Sequence, residues 1–371
     1  MNTIGIICEY NPFHNGHIYH INKIKEKFPN SLIILVLNGY FTMRGEVSIL
    51  SKSDKVSIAL QNSIDLVIEL PSIEGTNSAD DFAYYSITIL NYLKCDYIVF
   101  GSEINDIDVL TDVALKQDDE EISIKVKENL KKGLNYPTAL SKALDTSINT
   151  PNDLLGISYI KAIKKLKSKI IPISIERTNN YHDLISNEHI VSASNIRNKI
   201  AKDESISNYL PTSSLTKIKT IDYDLLFNLI KYKIITDDNL NNILTVDEGI
   251  ENRLRKYINS SSSLDEFINK IKTKRYTQNR IQRMLTHILL NITKEDKEKH
   301  KNIEYIKVLG FNKKGQKYLN SVKKSIDIPV SSKIGNEFIA RKYEITASLI
   351  YDLITKSNTY EFECKNRPIT K

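Results

Sequence analysis

Two histidines near the start of the chain, His14 and His17, have the spacing of a phosphate-binding turn. They stand in the sequence HNGH, after the apolar run TIGIICEY and before the amphipathic stretch HIYHINKIKEKF. A turn from a strand into a helix presents backbone N–H groups and the positive end of the helix dipole to an anion. Gly16 allows a close backbone approach, and side chains three residues apart reach the same side of a helix start. The motif predicts a triphosphate site in which both imidazoles stabilise the charge on a departing pyrophosphate.

Two other interpretations of HNGH stay open at this point. Histidines three or four residues apart also bind metals, but no carboxylate accompanies them in an HExxH arrangement and no further zinc ligands are evident. We therefore predict no metal ligand in the chain. Alternatively, the two histidines cap the helix and lie at the surface. Their position directly after the first strand favours the phosphate site.

A second polar group occurs far downstream in IVSASNIRNKI. Ser192 and Ser194 precede a helix-like segment that has Arg197 in its first turn. Hydroxyls, backbone amides and a guanidinium thus converge at another helix N-terminus, which suits an anion. Taken alone, the segment is also explained by an ordinary N-cap and a solvated arginine.

The segments around these motifs predict the fold that positions them. TIGIICEY, SLIILVLN, IDLVIEL, CDYIVFGSE and KIIPISIER are nearly continuous apolar runs, and helical segments separate them. This pattern is typical of a parallel sheet buried on both faces. We predict an α/β, Rossmann-like, doubly wound parallel sheet that binds its ligand at the carboxyl ends of the strands. The turns EYNPFHNGH, LNGYFTMRGE, IELPS and FGSE all follow such ends.

The character of the chain changes near residue 210. We predict a catalytic domain over 1–210 and a mostly α-helical, basic domain over 211–371, where segments such as RIQRMLTHILLNI have helical periodicity. The second part carries 30 Lys and Arg against 19 Asp and Glu, whereas the whole chain has a net charge of only +7. A basic domain favours a polyanionic partner, although lysines that merely solvate a helical surface explain the same excess.

Composition excludes several classes of protein. With 41% apolar and 26% charged residues, the chain is typical of a globular protein. Its 3 cysteines are odd in number and never form a CxxC pair, which argues against a disulfide framework and a zinc site. The chain has neither a leader-like segment nor an apolar run of roughly 20 residues. We expect a cytoplasmic protein that contacts no membrane.

The motifs together resemble the HIGH-type nucleotidyltransferase superfamily and, more closely, the bacterial tRNA(Met) cytidine acetate ligase family. EYNPFHNGH, LNGYFTMRGE, PNDLLGISY, VSASNIR and VLGFNKKGQKYL occur in the family's order over nearly the whole chain. The resemblance implies that ATP, with Mg²⁺, activates acetate as acetyl-adenylate. The acetyl group then passes to the wobble cytidine of elongator tRNA(Met), forming N4-acetylcytidine. No stable protein partner is implied.

The resemblance also implies site residues, with His14 and His17 as the catalytic pair. Nucleotide-binding residues carried over from the family and superfamily motifs are Ile7, Cys8, Glu9, Tyr10, Asn11, Pro12, Phe13, His14, Asn15, Gly16, His17, Ile18, Tyr19, His20, Gly101, Asn152, Arg177, Ser192, Ser194 and Arg197. Read individually, Gly101 also fits a strand end, Asn152 a helix cap and Arg177 a surface ion pair. Lys52 and Asp81 lie in matching blocks and are plausible pocket residues without an assigned role.

One position departs from the family pattern, and one region is expected to bind RNA. Met43 stands where the family more often has glutamine, which bears on acyl specificity. The basic blocks of the second domain would hold the tRNA, with its densest positions at Arg275, Arg280, Arg283, Lys313, Lys314 and Lys317, interleaved with Tyr276 and Phe311. Two other functions remain open: an adenylyltransferase acting on a small acceptor, and a nucleotide-sensing RNA-binding protein without catalysis.

Overall fold

A single sheet organises the protein. The computed structural model describes residues 1–117, 119–134, 136–144, 148–177, 189–365 and 367–371. Its strands are β1 (Thr3–Cys8), β2 (Leu32–Asn38), β3 (Leu66–Leu70), β4 (Tyr97–Ser102), β5 (Ile171–Glu176), β6 (Ile306–Phe311), β7 (Val330–Ser331) and β8 (Ile369–Thr370). They pair in the order β5-β4-β1-β2-β3-β6-β7, and β8 pairs with β6.

The first five strands form the predicted doubly wound parallel sheet. Every residue of β2 is buried, as its continuous apolar sequence requires for a strand covered on both faces. β1 pairs in parallel with β2 on one side and with β4 on the other. The chain therefore reverses its direction of winding between β1 and β4, where such sheets bind ligands. The predicted fold class is confirmed.

Helices cover both faces of the sheet and make up most of the second half of the chain. Those before β6 are α1 (Asn15–Lys27), α2 (Lys52–Gln61), α3 (Ser72–Gly75), α4 (Ala79–Tyr92), α5 (Ile107–Lys116), α6 (Glu120–Lys131), α7 (Tyr136–Leu144), α8 (Pro151–Lys165), α9 (Ala193–Ala201), α10 (Thr212–Leu215), α11 (Tyr223–Thr236), α12 (Ile250–Ile258), α13 (Leu264–Ile271), α14 (Gln278–Leu290) and α15 (Lys294–Lys299). After β6 come α16 (Lys313–Val322), α17 (Ile339–Thr355) and α18 (Tyr360–Lys365). Within the described residues, none of these helices has the length and apolar character needed to span a membrane.

The second half of the chain returns to the sheet, which we did not predict. β6 pairs antiparallel with β3, and Leu66 lies opposite Phe311. The sequence IKVLGF is a single apolar run among helical segments, so its periodicity does not distinguish a strand from a buried helix. The boundary at residue 210 stays a prediction, but the sheet contains strands from both sides of it.

The helices of the second half also enclose part of the first. Their core, built mainly from α11, α12, α13, α14 and α17, includes the side chains of Tyr40 and Phe41. These two residues belong to the turn LNGYFTMRGE that follows β2. One side of this turn is therefore set by the helical part of the protein.

A buried ion cluster joins the two halves. It consists of Lys52, Glu69, Lys307, Arg341, Glu344 and Glu363, each at most 3% exposed. The Lys52 ammonium contacts all three carboxylates, with Nζ at 2.7 Å from Glu69 Oε2 and 2.5 Å from Glu363 Oε1. Glu363 also accepts hydrogen bonds from Lys307, Arg341 and the Tyr40 hydroxyl. The cluster thus links α2, β3, β6, α17 and α18.

In this cluster, attraction between opposite charges offsets the cost of burying each charged group. Burial alone would raise the pKa of Glu363, but Lys52, Lys307 and Arg341 hold it well below the usual range. Burial alone would lower the pKa of Lys52, yet the carboxylates of Glu344, Glu363 and Glu69 raise it well above normal. Lys52 and Glu363 are therefore held in their charged forms, and removing either one leaves its partners uncompensated.

We expect Glu363→Gln to destabilise the protein by about 3–5 kcal/mol, because Lys52, Lys307 and Arg341 lose a shared buried partner. The measurement is the free energy of unfolding from guanidinium denaturation. Glu361→Gln on the same helix is the matched control, since the exposed pair of Glu361 with Lys365 is worth at most about 1 kcal/mol. Equal effects of the two substitutions would contradict a structural role for the cluster.

Candidate nucleotide site

A cavity of about 280 Å³ opens at the carboxyl ends of β1 and β4. This is the position at which the sheet topology predicts a ligand. Most of the sequence-predicted residues meet in its wall. Those that line it are Ile7, Cys8, Glu9, Tyr10, Asn11, His14, Gly16, His17, Tyr19, His20, Gly101, Asn152, Arg177, Ser192, Ser194 and Arg197.

Four residues of the predicted nucleotide turn do not line the cavity. Pro12 and Ile18 are absent from its wall, and Phe13 is fully buried in the core beneath it. Asn15 instead anchors the turn: its side-chain amide donates to the carbonyl oxygens of His189 and Asn208, at 2.9 and 3.0 Å. Phe13 and Asn15 therefore support the site from behind.

Lys52 and Asp81 also lie outside this cavity. Lys52 is fully buried in the ion cluster. The Asp81 carboxylate accepts a hydrogen bond from Ser78 Oγ in the first turn of α4, at 3.0 Å. Structural contacts account for Lys52, whereas Asp81 lines a second, separate cavity with Asp80, Tyr84 and Lys161.

The HNGH segment forms a reciprocal cap at the start of α1. His14 is the N-cap residue, and its Nδ1 accepts a hydrogen bond from the Gly16 backbone N–H at 3.0 Å. His17 Nδ1 accepts from the His14 backbone N–H at 3.1 Å. A Cβ atom on residue 16 would lie 2.7 Å from the His14 ring, so Gly16 makes room for that ring. The spacing of the motif is thus required by the cap as well as by the cavity.

This cap determines which ring nitrogen carries the proton in each histidine. Because Nδ1 accepts a backbone N–H in both rings, neutral His14 and His17 hold their proton on Nε2. Burial, together with the charges of Arg177 and Arg197, lowers the pKa of His14 to about 3. Burial and the neighbouring His14 lower the pKa of His17 well below 6.5. Both imidazoles are therefore neutral N–H donors at the cavity.

The downstream motif brings a guanidinium to the same cavity. Ser192 caps α9 by accepting from the Asn195 N–H, and Arg197 lies one turn further. Arg197 donates to the carbonyl oxygen of Asn11 at 2.7 Å and to Glu46 at 2.6 Å. These bonds fix the guanidinium against the HNGH turn. Two helix N-termini, those of α1 and α9, border one cavity, which is an arrangement suited to a polyanion.

The other wall of the cavity joins β4 to α8. Glu103 Oε1 accepts from the Asn152 side-chain amide at 2.5 Å and lies 3.4 Å from Arg177 Nε. Buried Asp153 accepts from the Glu103 backbone N–H at 3.1 Å and from the Ser102 hydroxyl. Asn152 and Arg177 are thus held in place through Glu103.

Several cavity residues were not singled out from the sequence, although they lie in the quoted motifs. Glu176 is the last residue of β5, while Thr42, Arg44 and Glu46 belong to the turn after β2. Their signal is their position at a strand's carboxyl end. Further lining residues, mostly apolar, are Phe82, Val99, Phe100, Leu155, Tyr159, Ile175, Ile190 and Val191. These come from separate elements, so only the fold brings them together.

Met43 contributes to the site in two ways. Its side chain lines the cavity, and its backbone N–H donates to Glu9 Oε1 at 2.5 Å. Any residue except proline at position 43 can make that backbone bond. Glu9 also accepts from Asn38 Nδ2 at 3.1 Å, which ties the ends of β1 and β2 together. The methionine therefore changes the surface of the cavity without disturbing this link.

The fold and the site define a nucleotide-binding α/β protein of the HIGH type. The model of the HIGH nucleotidyl transferase family matches residues 1–366. The tRNA(Met) cytidine acetate ligase of Fusobacterium nucleatum is 42% identical over 87% of this chain and 86% of its own length. The ligase of the same name from Bacillus subtilis is 36% identical over 95% of this chain and 92% of its own length.

Solved structures agree with these sequence relatives. Thermotoga maritima TmcAL bound with alpha-thio ATP is 27% identical and superposes with a TM-score of 0.84, covering 96% of this chain and 95% of that one. The apo form of that protein has a TM-score of 0.88, with coverage of 100% and 99%. The chain therefore belongs to the HIGH nucleotidyl transferase family, in the group of the tRNA(Met) cytidine acetate ligases.

We expect His14→Asn and His14→Ala to distinguish the role of His14 in capping α1 from its role in binding the ligand. Asparagine is a good N-cap residue, whereas alanine costs about 1 kcal/mol of stability. Both substitutions remove the Nε2–H donor and should weaken binding of a non-hydrolysable ATP analogue about tenfold. Calorimetric titration and thermal denaturation measure the two effects. Wild-type affinity in His14→Asn would mean that His14 serves only as a cap.

The buried histidines predict a loss of stability on acidification. Burial lowers the pKa of His14 to about 3 and of His20 to about 4, whereas an unfolded histidine titrates near 6.5. Below pH 6.5 the unfolded chain therefore binds more protons, and the free energy of unfolding falls by up to about 1.4 kcal/mol per pH unit for each such histidine.

Denaturation between pH 7.5 and 5 tests this expectation. His14→Asn combined with His17→Asn should give a shallower pH dependence than the wild type, because two of these sites are gone. The exposed His189→Asn is the control for the loss of a histidine as such. An unchanged slope in the double variant would show that these histidines titrate normally in the folded protein.

Proposed function

We propose that this chain is an ATP-dependent ligase that modifies tRNA. It would join acetate to AMP as acetyl-adenylate and release pyrophosphate, then transfer the acetyl group to the wobble cytidine of elongator tRNA(Met) to form N4-acetylcytidine. The observation that carries the proposal is the convergence of His14, His17, Ser194 and Arg197 on one cavity, in a chain 42% identical to a ligase of that name. The cytoplasm, where tRNA is modified, is the proposed location.

In the first step, a carboxylate oxygen of acetate attacks the α-phosphorus of ATP and the bond to pyrophosphate breaks. The protein needs no covalent nucleophile, because alignment of the reactants and stabilisation of the leaving charge suffice. We assign that stabilisation to the Nε2–H donors of His14 and His17, the guanidinium of Arg197 and the N-termini of α1 and α9. Gly101, Asn152 and Arg177 would hold the nucleoside on the β4 side.

In the second step, the exocyclic amine of cytidine attacks the acetyl carbonyl carbon. The bond from that carbon to the AMP oxygen breaks, AMP leaves, and the amine gives up one proton. The base must leave its stack to reach the cavity, and proteins read single-stranded RNA loops in this way. The basic region 211–371 is the proposed tRNA-binding domain and 1–210 the catalytic domain.

Magnesium is proposed to arrive on the phosphates of ATP. Glu9, Glu46 and Glu176 line the cavity, and the carboxylates of Glu9 and Glu46 accept hydrogen bonds from protein donors. Among the described residues, only Glu69, Glu344 and Glu363 cluster closely enough to share a cation, and Lys52 already supplies it. We assign no protein ligand to the magnesium ion, which would offset phosphate charge.

A second candidate function keeps the nucleotide site and changes the acceptor. An adenylyltransferase would attach AMP to a small molecule and would not require acetate for pyrophosphate exchange. It would also have no evident use for a basic helical region. The names of the sequence relatives favour the ligase.

The proposal is tested by ATP–pyrophosphate exchange with the purified protein. We expect exchange that depends on acetate and falls at least 100-fold in His14→Asn combined with His17→Asn, because both phosphate donors are lost while helix-compatible residues remain. Addition of tRNA(Met) should then yield acetylated RNA and AMP. Exchange that requires another small acceptor in place of acetate would favour the adenylyltransferase, and no exchange with acetate, even with tRNA present, would refute the ligase.

A further inference from the structure

The turn Thr42–Glu46 connects the cavity with the helical part of the protein. Thr42, Met43, Arg44 and Glu46 line the cavity. Gly45, between them, faces away: its carbonyl oxygen accepts from the Thr286 hydroxyl of α14 at 2.9 Å. Gly45 has φ of +79°, and a Cβ there would collide with the backbone of α14. The cavity wall and α14 are therefore in direct contact.

Three arginines lie close together at this junction. Arg44 belongs to the cavity wall, while Arg280 and Arg283 are one turn apart on α14 beside it. Burial and the charges of Arg280 and Arg44 lower the pKa of Arg283. All three side chains are only partly buried. A polyanion that crosses this junction would meet all three guanidinium groups.

Aromatic rings accompany the arginines. Arg280 stacks on the ring of Tyr276 at 4.1 Å, and the Tyr276 hydroxyl is fixed by the carbonyl oxygen of Asp247 at 2.7 Å. Tyr223, at the start of α11, is 58% exposed. Four residues before it, the Lys219 backbone N–H donates to the Ile49 carbonyl oxygen at 2.8 Å. The start of α11 therefore lies beside the chain that leaves the turn Thr42–Glu46. An exposed ring beside positive charge is a platform on which an unstacked base binds.

The other basic block of the helical region lies at the opposite edge of the sheet. Lys314 Nζ donates to the Ser31 carbonyl oxygen at 2.5 Å, and Asn312 donates to Asp65 at 2.7 Å. Ser31 precedes β2 and Asp65 precedes β3, so α16 lies at the amino ends of these strands. The seven residues of β2 place that edge roughly 20 Å from the cavity edge.

We propose that Arg44, Arg280 and Arg283 form a track for the phosphates of a single-stranded RNA loop, and that Tyr223 stacks with the base that this loop delivers to the cavity. This inference rests on the proposed function and adds the surface that binds the RNA. Of the basic positions predicted from the sequence, Arg280 and Arg283 belong to this surface, whereas Lys313, Lys314 and Lys317 lie outside it.

The test compares two charge-matched double variants in binding to an unmodified elongator tRNA(Met) transcript. For Arg280→Ala with Arg283→Ala we expect the Kd to rise at least tenfold and the dependence of log Kd on log salt to become shallower by about 1 to 2, since each lost phosphate contact reduces this slope. For Lys313→Ala with Lys317→Ala, which changes two exposed lysines of α16, we expect wild-type affinity and slope. Fluorescence anisotropy over a salt series gives both quantities.

Tyr223 is tested by the same measurement. Tyr223→Ala should raise the Kd about fivefold or more, and Tyr223→Phe should restore binding, because stacking needs only the ring. Tyr232→Ala is the control, since Tyr232 is 64% exposed on the same helix and lies two and a half turns away. Equal losses in the alanine variants at 223 and 232 would overturn the assignment of the stacking platform.

The outcomes separate this proposal from the proposed function. Weaker binding only in the α16 double variant, or unchanged binding in the Arg280 and Arg283 variant, would overturn the track. Arg280→Lys with Arg283→Lys, which keeps the charge, should recover most of the affinity and thereby excludes a folding defect. Acetate-dependent exchange needs no RNA contact at this surface. If the wild type lacks such exchange, the ligase is refuted, and the binding measurements still decide whether the three arginines hold the RNA.

Discussion

The buried ion cluster around Glu363 is the constraint on which the arrangement of the two halves depends. Apolar contacts are non-directional, but buried charged groups such as Lys52 and Glu363 are stable only when each meets its partners. Lys52 comes from the helix after the LNGYFTMRGE turn, whereas Glu363 comes from α18, close to the end of the chain. The Tyr40 hydroxyl joins the same carboxylate. The cluster therefore holds the cavity turn in one position relative to the helices that carry the basic residues.

Local capping interactions orient the side chains of the site, whereas the ion cluster fixes how the two halves of the chain pack. His14 and His17 each satisfy a backbone N–H with Nδ1, and this leaves the second nitrogen of each ring as a donor. Their low pKa values keep them neutral, so they add no charge of their own beside Arg177 and Arg197. A triphosphate would meet two fixed positive groups and several neutral donors. Because these donors are already in place, the site needs little rearrangement when the ligand enters.

The sequence supports a prediction of the sheet and of most of the cavity wall, since both depend on local patterns. Apolar runs such as SLIILVLN mark buried parallel strands, and motifs at their ends mark the ligand edge. β6 escaped prediction because one short apolar run among helices does not indicate its partner. Lys52 was misjudged because its role depends on Glu344 and Glu363, which lie some 300 residues further along. Pairings across such distances leave no periodic signal in a single sequence.

The pairing of β6 with β3 also limits how the chain can be divided. β6 and its neighbours β7 and β8 come from beyond residue 305, and β6 covers the side of β3 that β2 leaves open. If the chain were cut near residue 210, β3 would become an edge strand with a row of unpaired backbone groups between apolar side chains. Such an edge is a template for self-association. The half of the chain beyond residue 210 therefore protects the edge of the nucleotide-binding sheet as well as carrying the basic helices.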